Sequence, residues 1–147
     1  MSADRLGALL AQDEIFQLMV RYGHGLDRRD AGLLASVFAD PFEFDFFEFS
    51  GQPAVSLSPA AFAENTLATL RSMKTQHQIT NPRIEISGDG ATGLFTMAAF
   101  HFRDDGEYVM RGFYEEKFRR VGGEWKITRH KLLKSYCTGD AKLFEPT

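Results

Sequence analysis

Three of the four histidines, His77, His101 and His130, fall one each on segments that read as separate β-strands, and Asp27 closes an amphipathic helix that precedes them. An imidazole titrates near neutral pH, so it can act as a general base, a proton donor or a metal ligand. A carboxylate beside it would orient the ring and stabilise the imidazolium that forms when it takes a proton. A hairpin turning at Gly88-Asp89-Gly90 would set residues 77 and 101 directly opposite one another. Opposed residues on one face of an antiparallel pair have Cβ atoms ~5 Å apart. Two imidazoles at that spacing point to a site rather than to scattered surface histidines.

Each residue also has a plainer reading. Asp27 could be a helix-terminal carboxylate paired with Arg28 or Arg29. Negative charge at a helix C-terminus is unfavourable, however, and a continued helix puts Asp27 in line with Phe16, Val20 and Gly23, facing inward. His77 could be a satisfied core histidine, and His101 a structural hydrogen-bonding residue beneath a pocket. Tyr22 lies about 140° around a regular helix from Asp27, so the two converge only if Gly23 and Gly25 loosen the backbone. His130 sits between Arg129 and Lys131, which suggests a strand with a wet face, and His24 reads as surface. Three histidines and an aspartate could hold zinc or iron, but the local ligand spacings are absent, and neither metal nor cofactor is expected.

The positioning elements follow from periodicity. Leu6, Leu9, Leu10, Ile15, Leu18, Met19, Tyr22 and Leu26 recur at three- and four-residue steps, the signature of a helix. Asp30 caps a second, short helix over 31–39, which Pro41 stops. In Phe42-Glu-Phe-Asp-Phe46 aromatic and acidic residues alternate, as in a half-buried strand. Ser58-Pro59 opens a helix of about 59–74. Four long extended segments then follow at about 76–87, 91–103, 107–121 and 124–136, with Asn81-Pro82 making the first an edge or bulged strand. Strands this long coil strongly and wrap around a helix. The reading is one α+β domain over residues 1–147, with helices first and a meander last.

Composition narrows the partners. A formal charge of −3 and a pI near 5.8 leave no concentrated basic face for nucleic acid. One cysteine, Cys137, excludes an intrachain disulfide framework and suits a reducing compartment. The segment Met1-Ser-Ala-Asp-Arg5 lacks a signal peptide's basic start and apolar centre, and no apolar run approaches a membrane span. A cytoplasmic protein without a membrane partner is expected. Fourteen phenylalanines, five of them within residues 42–49, would furnish either core or an apolar pocket.

The order Arg21-Tyr22…Leu26-Asp27-Arg28-Arg29-Asp30…Val37-Phe38-Ala39-Asp40, then Thr75-Gln76-His77…Asn81-Pro82, Tyr114-Glu-Glu-Lys-Phe118 and Gly123-Glu-Trp-Lys-Ile127 resembles the SnoaL-like branch of the nuclear transport factor 2-like superfamily. The resemblance covers nearly the whole chain. It implies a cone-shaped α+β barrel, with N-terminal helices on a strongly curved, mixed but mostly antiparallel sheet. Scytalone dehydratase, bile-acid 7α-dehydratase and hexachlorocyclohexane dehydrochlorinase, within this group, carry an Asp–His pair at positions that match Asp27 and His77. His101 matches a second histidine of the first, and Tyr22 a tyrosine of the second. Leu26 and Phe46 stand where scytalone dehydratase has substrate-binding tyrosines, so no substrate identity carries over.

The expected function is a cofactor-independent lyase of dehydratase type, or a related cyclase or isomerase, acting on a hydrophobic ring-containing molecule. Asp27, His77, His101 and Tyr22 are the candidate catalytic residues, and Phe44, Phe46, Phe100 and His130 the candidate substrate-binding ones. His77 would be the base, and His101 or Tyr22 the donor to a developing oxyanion or leaving hydroxyl. The alternative is a non-catalytic binding or assembly module of the same fold, like the small subunits of ring-hydroxylating dioxygenases. The convex face of so long a meander needs a cover, so a homodimer or homotrimer is expected.

Overall fold

The computed structural model describes residues 2–145. Helix α1 spans Ala3–Asp27, and the Ser2 hydroxyl caps it by accepting from the Arg5 N–H. Its buried stripe is Ile15, Leu18, Met19, Tyr22 and Leu26, whereas Leu6, Leu9 and Leu10 are exposed. The first turns therefore carry the helical period beyond the surface that covers the rest. Asp30 caps α2 (Ala31–Ser36) through the Leu33 N–H.

Helix α2 ends sooner than its sequence pattern predicts, and Pro41 does not stop it. Strand β1 (Phe38–Asp45) has already begun, and Pro41 lies within it, where its pairing with β6 is interrupted. A residue without an N–H fits such a gap in the ladder. Helix α3 (Phe47–Ser50) and the short strand β2 (Val55–Leu57) precede α4 (Pro59–Leu70), which the Ser58 hydroxyl caps through the Ala61 N–H. The long strands are β3 (Lys74–Ser87), β4 (Gly90–Arg103), β5 (Gly106–Val121) and β6 (Glu124–Gly139). A 3-10 turn at Ala141–Phe144, unmarked in the sequence pattern, follows β6.

The strands form one six-stranded sheet in the order β2-β1-β6-β5-β4-β3. Only β1–β6 is parallel; the other pairs are antiparallel. The sheet is open rather than a closed barrel, with β2 and β3 as its edges, and α1 packs chiefly on β3 and α2. The core lies between helices and sheet and includes Ile15, Leu34, Phe95, Ile127 and Leu132. No helix among the described residues is long and apolar enough to cross a membrane.

The β3–β4 register corrects the expected pairing of His77 with His101. The turn has two residues, Gly88 and Asp89, between the paired Ser87 and Gly90, and a bulge between Thr80 and Arg83 shifts the ladder by one more. His77 therefore faces Ala99, and His101 faces Thr75. The histidines are diagonal neighbours on one face, with ring centroids 5.8 Å apart in an edge-to-face arrangement.

The two late glycines of α1 differ sharply. A Cβ at Gly25 would lie 2.9 Å from the Leu34 backbone, where α1 and α2 touch, whereas one at Gly23 would meet ordinary contacts of 3.6 Å with His77 and Ile79. We expect Gly25→Ala to destabilise the protein by about 1–3 kcal/mol through overpacking. Gly23→Ala should raise stability by about 0.5–1 kcal/mol through helix propensity. Denaturant unfolding of the two variants checks both signs.

Candidate active site

Between the helices and the concave face of the sheet lies an apolar cavity of about 180 Å³. Phe44 from β1, Phe46 just beyond it, Phe62 from α4, Met97 from β4, and Met110 and Tyr114 from β5 belong to its wall. Polar side chains in its lining are Tyr22 from α1, Thr66 and Thr69 from α4, His77 from β3, His101 from β4 and Tyr114 from β5.

Asp27 stands behind His77. Its Oδ1 accepts from the ring Nδ1 at 2.7 Å and from the Thr75 hydroxyl at 3.0 Å, and its Oδ2 accepts from the His77 backbone N–H at 2.7 Å. The side chains of His77 and Asp27 are only 7% and 12% exposed, so the pair is sheltered from bulk water. Burial alone would push the Asp27 carboxyl up, but the ring and backbone bonds from His77, the His77 charge and the Thr75 hydroxyl hold it below its ordinary value. A carboxylate can only accept, so Nδ1 carries a proton, and in the neutral ring Nε2 is left as an acceptor.

Arg29 supports this pair without touching it. Its guanidinium donates to the Thr75 hydroxyl at 2.8 Å, to the carbonyls of Leu70 at 3.0 Å and Met73 at 2.6 Å, and to the carbonyl of Leu26. The salt bridge between Asp27 and Arg28 or Arg29 that the sequence allows is replaced by the chain Arg29–Thr75–Asp27–His77.

His101 is held differently. Its Nδ1 donates to the Tyr108 carbonyl at 3.1 Å, which fixes Nε2 as an acceptor. Burial first, and the nearby His77 charge second, lower its pKa to about 4. In this tautomer His101 offers the cavity an acceptor and not the donor considered for it.

A stability signature follows. Between pH 6.5 and about 4 the unfolded chain accepts a proton that folded His101 refuses, so stability is present above this window and is lost as pH falls through it. The loss should approach about 3 kcal/mol. His101→Gln keeps a donor for the Tyr108 carbonyl but does not titrate. Relative to wild type, it should gain that amount between pH 7 and pH 4 in urea-unfolding midpoints. Parallel pH profiles would disprove the assignment.

Tyr22 joins the cavity wall without the loosening of the helix thought necessary, since α1 is regular to Asp27. Its ring lies 6.5 Å from that of His77. Phe44 and Phe46 line the cavity as expected. Two other candidates do not. Phe100 follows the alternation of β4 to the outer face, where Arg111 lies over its ring at 5.5 Å. That is a necessary outcome, because His101 next to it points inward. His130 is fully buried behind Tyr22 rather than at a wet rim. Its Nε2 lies 2.9 Å from the Tyr22 hydroxyl and its Nδ1 2.7 Å from Glu116 Oε1.

Glu116 escaped the sequence reading. In Tyr114-Glu-Glu-Lys-Phe118 it occupies the phase of the buried aromatic residues Tyr114 and Phe118, an anomaly for a carboxylate. The Gly122-Gly123 hairpin sets it opposite His130. Phe49 and Phe144 also join the wall, brought by the short elements α3 and the terminal 3-10 turn. Among the described residues, no three His, Cys, Asp or Glu side chains are grouped to hold a metal ion.

A family model for the SnoaL-like domain matches residues 7–131. The chain belongs to the SnoaL-like family. Among solved structures, this SnoaL-like domain is similar to the Kfla4162 protein of Kribbella flavida, at 26% identity over 95% of this chain and 99% of that one, with a TM-score of 0.89. The hexachlorocyclohexane dehydrochlorinase LinA-type3 of Novosphingobium barchaimii is 24% identical over 93% and 94% of the two chains, with a TM-score of 0.78. A scytalone dehydratase candidate from Novosphingobium aromaticivorans is 21% identical over 89% and 88%, with a TM-score of 0.78. The last two likenesses are of fold alone. A search of curated proteins returned no match.

Proposed function

We propose that this SnoaL-like domain is a cofactor-independent lyase, of dehydratase or dehydrohalogenase type, acting on a hydrophobic ring-containing molecule. The observation that carries the reading is His77, bonded through Nδ1 to Asp27 and lining an apolar cavity. His77 would take a proton from a carbon next to a carbonyl or beside a leaving group, while Asp27 stabilises the imidazolium. A cavity of about 150 Å³ accommodates benzene, so about 180 Å³ suits a single ring with small substituents. Cyclase or isomerase chemistry would use the same base. The fold likeness to a dehydrochlorinase and to a scytalone dehydratase candidate agrees with elimination as the reaction class.

The same reading includes a cytoplasmic homodimer or homotrimer. Phe102, Phe113 and Tyr136, all exposed on the outer strand face, support self-association.

The test is a panel of single-ring β-hydroxy ketones and ring halides incubated with the protein in deuterated buffer. We expect at least one compound to give a new alkene absorbance or deuterium at the carbon beside the carbonyl or leaving group. Compounds that raise the melting temperature but show neither change would make the protein a binding module instead.

A further inference from the structure

The Asp27–His77 pair leaves unexplained a second set of buried polar groups that reaches the same cavity. Glu116 and His130 are both 0% exposed, and Tyr22 is 2% exposed. The three form an unbroken hydrogen-bonded chain, Glu116 Oε1 to His130 Nδ1 at 2.7 Å and His130 Nε2 to the Tyr22 hydroxyl at 2.9 Å. Phe38, Phe44, Phe46, Phe62 and Tyr114 surround the imidazole with ring-centroid distances of 4.9–6.3 Å, a setting that excludes water.

Where the protons sit decides what Tyr22 presents to a ligand. With a Glu116 carboxylate and a proton on Nδ1, Nε2 would accept the Tyr22 proton, leaving only phenolic lone pairs for the cavity. With a proton held between Glu116 and Nδ1 and another on Nε2, the Tyr22 oxygen accepts from His130, and its own proton turns to the cavity side, where a ligand competes for it with the neighbouring Tyr114 hydroxyl. The surroundings of Glu116 favour this second arrangement. Its Oε2 has no partner, and its Oε1 receives only His130 and the Lys131 N–H at 3.3 Å. The nearby guanidinium of Arg129 is engaged by Glu115 at 2.9 Å. A bare oxygen costs a neutral carboxyl less than a carboxylate, and burial pushes Glu116 up despite the opposing pull of His130, the Lys131 N–H and the Arg129 charge.

We propose that Glu116, His130 and Tyr22 form a second proton-transfer unit of the cavity, separate from Asp27–His77, in which Tyr22 faces the ligand as proton donor and is resupplied through His130 from Glu116. The proposal rests on the lyase reading above. In the elimination, His77 Nε2 takes the proton from carbon, and that C–H electron pair forms the new double bond as the bond to the leaving group breaks. The departing oxygen or halide takes the Tyr22 proton. Tyr22 takes the proton from His130 Nε2, and Nδ1 takes the one from Glu116. The step ends with protonated His77 and ionised Glu116, so net charge is conserved, and solvent returns the proton once product has left. Tyr22 touches the leaving group; His130 and Glu116 act through it as positioning residues.

The experiment has two arms. In protein labelled with ¹⁵N-histidine, the His130 signal is assigned by its loss in His130→Gln. We expect a protonated Nε2 in wild type and in Glu116→Gln, whose amide can fill Nδ1 as a protonated carboxyl does. An unprotonated Nε2 in wild type overturns the donor posture. In the second arm, Glu116→Gln is assayed on whichever ring compound the panel reveals as substrate. Because the amide cannot release its proton, kcat should fall about 100-fold with KM within threefold. An unchanged kcat overturns proton supply by Glu116. Should the wild type turn over nothing in the panel, the lyase reading falls and the supply role with it, while the Nε2 signal still decides how Tyr22 is held.

Discussion

Asp27→Asn is expected to lower turnover by about 10³–10⁴-fold, the scale seen when an aspartate that orients a catalytic imidazole becomes an amide. The physical reason lies in what surrounds the carboxylate. Both of its oxygens are occupied by donors: the His77 ring and Thr75 hydroxyl on Oδ1, the His77 backbone N–H on Oδ2. An amide has only one oxygen. If that oxygen keeps the ring, the NH2 group confronts the backbone N–H; if it keeps the backbone, the NH2 group faces Nδ1 and draws the ring toward the tautomer with its proton on Nε2. Either outcome weakens or removes the base. The fold should survive with a loss of about 1–3 kcal/mol, the cost of an unmade buried hydrogen bond. Turnover, with a two-dimensional NMR spectrum to verify folding, is the measurement. Activity within tenfold of wild type in a folded variant would exclude the pair from the mechanism.

The second large effect concerns stability. Arg29→Met should cost about 2–4 kcal/mol, reflecting lost charge-assisted hydrogen bonds moderated by the partial exposure of the guanidinium. Leu26 and Leu70 lie at the C-terminal ends of α1 and α4, where unpaired carbonyls concentrate negative potential. One planar cation satisfies carbonyls of both helices, that of Met73 and the Thr75 hydroxyl together. Arg29→Lys, a point charge without the fork, should recover only part of the loss. Midpoints of denaturant unfolding measure both variants. A loss under about 0.5 kcal/mol in Arg29→Met would show that water replaces the guanidinium at no cost, as on ordinary surfaces.

Local order made much of this molecule readable from its residues. The helix that ends on Asp27, the caps at Asp30 and Ser58, and the four long strands with their turns all follow from periodicity and turn chemistry. Non-local pairing did not. Nothing around Phe38–Asp45 states that β1 runs parallel to β6, and three-residue β2 carries too little pattern to register. At the site, a family resemblance matched Asp27 with His77, and the alternation of 42–46 placed Phe44 and Phe46. Phe100 was misplaced although its neighbour His101 already fixed its direction. His130 was misread because flanking Arg129 and Lys131 sit on the other phase of the strand, and the burial of the imidazole depends on Glu116, a residue of another strand.

The bulge at Asn81-Pro82 governs whether there is a site at all. Toward the hairpin turn, β3 sends its even-numbered residues Ile84 and Ile86 inward, while beyond the bulge the odd-numbered Thr75, His77 and Ile79 face in. A strand of uniform pleat could not do both, since a shift of one residue exchanges its two faces. The extra residue is thus a change of phase written into the backbone. It lets one strand supply aliphatic side chains to the core at one end and a histidine to the cavity at the other, and it sets, before any side chain is chosen, which side of the sheet that histidine can serve.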